Sequence, residues 1–218
     1  MTTILLIRHG QTAWNREERF RGQVDLPLDE RGLQQAEAVG QRVAGQWQPV
    51  AIYASSLQRT LQTAAAIARA CGLHPACAGL RPAWAGLRTT LHDGLLDINY
   101  GAFAGLTPDE AAHQYPDLAR AWRQAPHTVR FPDGESLADV RSRAETALAE
   151  IVAKHPNQTV VLVTHVVVCR LLLCSVLGLD NSHFWQFEPA TASISVFEIS
   201  PESSVLLSVN DTCHLASR

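Results

Sequence analysis

Four residues of this chain have the types and the placement to do chemistry together: Arg8, His9, Arg59 and His165. Each lies at or just beyond the end of a short apolar run. Two arginines and two histidines gathered at one edge would form a cationic pocket suited to a phosphoryl group, because guanidinium forks match phosphate oxygens bidentately. A histidine in such a pocket can attack phosphorus directly, splitting one difficult transfer into two easier ones through a phosphohistidine. The arginines and the second histidine would then hold the equatorial oxygens, where transition-state charge is spread. Singly, each residue also has an ordinary structural explanation, a hydrogen-bonded strand-end histidine or a solvated helix arginine. Their joint placement is what points to chemistry.

That placement depends on the elements. Thr3–Ile7 is an apolar run with a β-branched start and is expected to be a buried strand ending at Arg8 and His9. Val50–Ala54 is a second strand, and Thr159–Thr164 a third that ends at His165. Between them, Leu33, Ala36, Val39, Gly40 and Val43 recur at helical spacing after Asp29, a plausible N-cap. Ser55 or Ser56 is expected to cap a helix running to about Gly72, with Arg59 in its first turn. Leu137, Val140, Ala144, Leu148 and Ile151 mark an amphipathic helix over Glu135 to Lys154, and another follows His165 through Leu177. Two alternating segments around Ser200–Ser203 predict a C-terminal hairpin. Residues 75–132, rich in Gly and Pro with short helical pieces near 108–114 and 116–123, are expected to form a cap inserted into one domain spanning 1–218.

The order β-α-β-α-cap-α-β-α-β-β predicts an α/β fold: a three-layer α/β/α sandwich with a mostly parallel sheet, an antiparallel edge strand and a small helical and irregular cap. Strand carboxyl ends in such a sheet gather on one edge, where ligands bind.

The 218 residues are 46% hydrophobic and 18% charged, an ordinary globular composition with enough chain to bury about 70% of its unfolded surface. The net charge of −3 excludes a globally basic nucleic-acid binder. Five cysteines without a CxxC pair argue against a disulfide framework or structural zinc, and favour a reducing, cytoplasmic setting. The apolar stretch from Thr159 to Leu179 is long enough to span a bilayer, but His165 and Arg170 inside it favour a buried strand and helix, and so no membrane partner.

Leu6 to Asn15 (LIRHGQTAWN) resembles the signature of the histidine phosphatase superfamily, the group that includes cofactor-dependent phosphoglycerate mutases. The resemblance continues through Arg19–Gly22, Asp25–Ala36, Ser55–Ala64, Gly134–Ser136, Val163–His165 and Asn210–Leu215, nearly the whole chain. It implies that His9 is the phosphorylated nucleophile, with Arg8, Arg59 and His165 as the phosphate clamp. It implies further that Asn15 touches the phosphate and that Arg21 and Gly22 line the substrate entrance. In the segment Leu95–Gly101 the family's usual Glu is replaced by Asp97, which thereby takes the place of the general acid. After His165 the family often has two glycines; this chain has Val166 and Val167, and a backbone N–H of Val166 remains available to phosphate.

The resemblance implies a metal-independent phosphomonoesterase acting on small phosphorylated metabolites, without cofactor, as a monomer or homodimer. The stretch from Leu106 to Pro132 lacks the longer basic, proline-rich insert of the mutases, which favours phosphatase over mutase, because water then reaches the phosphohistidine. A mutase, or a relative that binds phospho-ligands with little turnover, are the alternatives. Arg81, Trp84, Arg88, Arg123, His127 and Arg130 either line a pocket for a second anionic group or are solvated cap residues.

Overall fold

A computed structural model describes residues 1–72 and 89–216. Its six strands are β1 (Thr2–Arg8), β2 (Ala51–Ala54), β3 (Thr89–Leu91), β4 (Thr159–Thr164), β5 (Ile194–Ile199) and β6 (Ser204–Asp211). They form one sheet in the order β3-β2-β4-β1-β5-β6. The first four of that order are parallel, whereas β5 and β6 run antiparallel. Strand β3 adds a parallel edge that the sequence did not predict: three half-exposed or exposed residues carry no alternation to mark them.

Alternation along β1 explains the layers. Ile4 and Leu6 pack on one face with α6 (Leu137–Lys154) and α7 (Val166–Val176), while Leu5 and Ile7 pack on the other with α2 (Glu30–Gln46) and α3 (Gln58–Ala70). Burial on both faces is why β1 and β4 have continuous apolar runs. Helix α7 is almost wholly buried, which accounts for the bilayer-length stretch; among the described residues no helix is long and apolar enough to cross a membrane. Cys169 and Cys174 are buried free thiols; Cys77 lies outside the described residues.

Asp29 caps α2 by accepting the Gly32 N–H at 2.8 Å, as expected. The remaining helices are a single turn, α1 (Ala13–Arg16), and two short cap helices, α4 (Pro108–Gln114) and α5 (Pro116–Gln124). Under them Tyr100, Phe103, Trp122, Phe131 and Phe184 form an aromatic cluster with ring centroids 5–6 Å apart.

The register fixes where chemistry can occur. Arg8 of β1 lies opposite Thr164 of β4, and Ala54 of β2 lies opposite Val163. One more ladder bond, from the His9 N–H to the Thr164 carbonyl (3.0 Å), extends the pairing past the strand end. Arg8–His9, Ser55 and His165 therefore leave the sheet side by side.

Candidate active site

His9 is 1% exposed, and its Nδ1 lies 2.6 Å from the Gly10 carbonyl. A carbonyl only accepts, so Nδ1 carries the proton and Nε2 keeps its lone pair. Burial, reinforced by Arg59 and Arg8, holds the imidazole well below its ordinary pKa. At neutral pH the ring is thus an uncharged base with one free nitrogen. The His165 ring sits 5.2 Å away, centroid to centroid.

His165 is wired differently. Its Nδ1 accepts from Arg59 Nε at 3.2 Å, so Nε2 carries the proton and donates to Ser55 Oγ at 2.8 Å. The Ser55 hydroxyl meets Thr60 Oγ1 at 2.8 Å, and Thr60 in turn donates to the Leu57 carbonyl. This corrects the expectation that Ser55 or Ser56 caps α3. Leu57 holds the N-cap position with no side-chain bond, because the Ser55 hydroxyl is committed to His165. Arg59 does lie in the first turn of α3 and is fully buried. Four of its five N–H groups are engaged, by His165, the Val24 and Gly22 carbonyls, and Asp97 Oδ2 at 3.4 Å.

Asp97 is 2% exposed, and its Oδ2 also lies 3.7 Å from His165 Nδ1. Burial raises its pKa above the ordinary carboxylate value even though Arg59 and Arg21 oppose the shift. The loop that carries it is held by Arg143, whose terminal nitrogens donate to the Gly94, Leu96 and Asp97 carbonyls at 2.7–3.1 Å. Glu135 clamps Arg143 from the other side (2.9 Å) and accepts the Asn99 N–H. Sequence reasoning did not single out Arg143; the Gly134–Ser136 motif was the only signal near it.

Beside these groups lies a cavity of about 450 Å³ lined by Arg8, Asn15, Arg21, Asp97, Tyr100 and Val166, among others. Arg8 donates through one terminal nitrogen to the Pro189 carbonyl, yet its Nε is buried without a partner. The same is true of Arg21 Nε, while its terminal nitrogen bonds the Trp14 carbonyl. Two half-buried arginines on one cavity wall, each with a buried Nε that has no partner among the described residues, give that wall the character of an anion site. Burial and the neighbouring Arg21 lower Arg8 to about 10. Asn15 Oδ1 is occupied by the Thr12 N–H and hydroxyl, so the amide nitrogen is what Asn15 can offer a ligand. Val166 opens α7, with its backbone N–H among the unpaired first-turn donors.

Gly22 is not on the cavity wall. At φ +51° it turns its carbonyl onto Arg59 (2.7 Å), and an added Cβ would stand 2.7 Å from the Ile98 carbonyl oxygen. It shapes the site through Arg59. Trp122 and Arg123 line the cavity, His127 borders a separate surface depression, and Arg130 pairs with Asp139. Arg81, Trp84 and Arg88 lie outside the described residues. Among the described residues no three His, Cys, Asp or Glu side chains are grouped to hold a metal ion.

An α/β/α sandwich whose strand ends bring Arg8, His9 and His165 together, with Arg59 and a protonation-prone Asp97 packed against them beside a cavity lined by Arg8 and Arg21, defines a phosphoryl-handling protein. Residues 4–212 match the histidine phosphatase superfamily (branch 1), and the chain belongs to it. It is 37% identical to phosphoserine phosphatase 1 of Hydrogenobacter thermophilus, over 99% of this chain and 95% of that one. It is 30% identical to a metal-independent phosphoserine phosphatase of Arabidopsis thaliana, over 100% of this chain and 84% of the relative. The solved structure of Bacillus stearothermophilus YhfR superposes with a TM-score of 0.87 at 30% identity, covering 99% of this chain and 100% of the other. Fold, site and relatives together make this chain a phosphatase.

Proposed function

We propose that the chain hydrolyses small alkyl phosphomonoesters, phosphoserine foremost, with His9 as nucleophile and Asp97 as general acid. The observation that carries this reading is a neutral His9 with a free Nε2, separated only by the His165 ring from a carboxyl whose burial favours its protonated form. Nε2 attacks phosphorus while the ester P–O bond breaks, and the departing alkoxide takes the Asp97 proton. Water then attacks the phosphohistidine, Asp97 accepts the water's proton, and inorganic phosphate leaves as the P–N bond breaks. Arg8, Arg21, the Asn15 amide and the N-terminus of α7 hold the phosphoryl oxygens. Arg59 and His165 hold one another and Asp97 in place beneath them.

Phosphoserine is put first because relatives covering nearly the whole chain are phosphoserine phosphatases. The test is phosphate release from phosphoserine, other metabolite phosphates and para-nitrophenyl phosphate, with His9→Ala in parallel and chelator in excess. Release that vanishes in His9→Ala supports the proposal. Undiminished release in that variant refutes the nucleophile assignment.

A further inference from the structure

Arg170 stands one helical turn after Val166 on α7, a rise of about 6 Å, and both line the same cavity. Its guanidinium carbon lies 4.5 Å from the Trp185 ring centroid and 4.9 Å from that of Phe184. Nε donates to the Phe187 carbonyl at 2.7 Å. Those contacts fix the position of the group while engaging, among the described residues, only one of its five donors. Among the described residues no carboxylate lies within ion-pair distance of it; burial lowers its pKa in spite of the charge of Glu188, which acts on it only from farther off. Of the other lining arginines, Arg8 and Arg21 also bond backbone carbonyls but have no aromatic seat among the described residues, Arg19 pairs with Glu17 and Glu110, and Arg123 is exposed to water.

A half-buried guanidinium seated over aromatic rings, with its terminal N–H groups unbonded and no carboxylate within ion-pair distance among the described residues, is a receptor for a planar anion. We infer that Arg170 binds a carboxylate at the far end of the substrate, so that the cavity selects phosphomonoesters of small carboxylic acids over otherwise equal alcohols. The inference rests on the proposed phosphatase reading and names its substrate class.

The experiment compares phosphoserine with phosphoethanolamine, the same ester with hydrogen in place of the carboxylate. Binding of both is measured by calorimetry in His9→Ala protein, with and without Arg170→Gln or Arg170→Lys; turnover of both is measured with His9 intact. The expected result is a preference for phosphoserine that falls about 10- to 100-fold in Arg170→Gln and is partly restored by Lys, which keeps the charge but not the fork. No preference in the starting protein overturns the inference. Equal weakening of both ligands in both variants also overturns it, leaving Arg170 as a structural tie between α7 and residues 181–187. Failure of the phosphatase reading shows separately, as absence of turnover on both esters, because the binding preference is read without turnover.

Discussion

Asp97→Asn separates acid catalysis from everything else the pocket does. The amide keeps the size of the carboxyl and an acceptor for the Ile98 N–H, which Asp97 Oδ1 takes at 3.0 Å. What it loses is the proton that burial favours on Asp97 despite Arg59 at 3.4 Å. A positioned acid contributes about 10²–10⁴-fold to proton transfer, or about 2.7–5.5 kcal/mol of barrier. Release of serine, which leaves as a strongly basic alkoxide, is therefore expected to slow about 10²–10⁴-fold. Release of para-nitrophenol, whose anion is stabilised by its ring, should slow less than about tenfold. Single-turnover release of the alcohol or phenol isolates the first transfer and is the assay to use. The pH profile supplies a second check. The acid must begin protonated, so in the unsubstituted protein serine release falls as pH rises through the raised Asp97 pKa, and that limb disappears in Asp97→Asn. His9, held neutral by its lowered pKa, moves the acidic limb below its usual position near 6.5. Equal losses on both esters, or none, would show that Asp97 is not the acid.

Three further outcomes are expected. Ser55→Ala leaves the fully buried His165 Nε2 without its partner; stability should fall by about 1–3 kcal/mol in urea denaturation, with kcat falling as His165 tilts away from Arg59. Arg143→Ala frees three loop carbonyls and the Glu135 carboxylate, so chemical denaturation should report a loss of about 2 kcal/mol, and serine release should suffer more than nitrophenol release. Excess chelator should leave phosphate release unchanged, since arginines supply the positive charge around the phosphoryl group; activity lost to chelator and restored by a divalent ion would contradict the proposed mechanism.

The architecture was legible because its physics is local. Apolar runs that stop abruptly at Arg8–His9 and His165 mark strands buried on both faces, and their polar ends mark the active edge. Helical spacing did the same for α2 and α6. What depended on a distant partner was not legible. Ser55, between a strand and a helix, has the look of a cap until His165, 110 residues later, claims its hydroxyl. Arg143 has the pattern of a solvated helix residue, and only the loop folded over it gives its fork a purpose. Arg170 was visible merely as a charge unsuited to lipid; its aromatic seat is built from residues at 184 and 185. Asp97 came from resemblance alone, since nothing local distinguishes one carboxylate in a loop. Gly22 came from the same resemblance, which gives no hint that its positive φ turns its carbonyl onto Arg59.

The ladder bond that carries β1 past its end to His9 has a consequence for how the molecule breathes. The His9 amide is bonded at the end of the central pair of the sheet, so its exchange with deuterium should require the β1–β4 ladder to open at that end. The short helices α4 and α5 pair with no strand and should exchange at lower cost, although Ala111, Ala119 and Trp122 anchor them to the core. On the proposed function, motion of these helices would admit substrate while His9 stays fixed to the sheet. Thermal inactivation and global unfolding should then follow one curve.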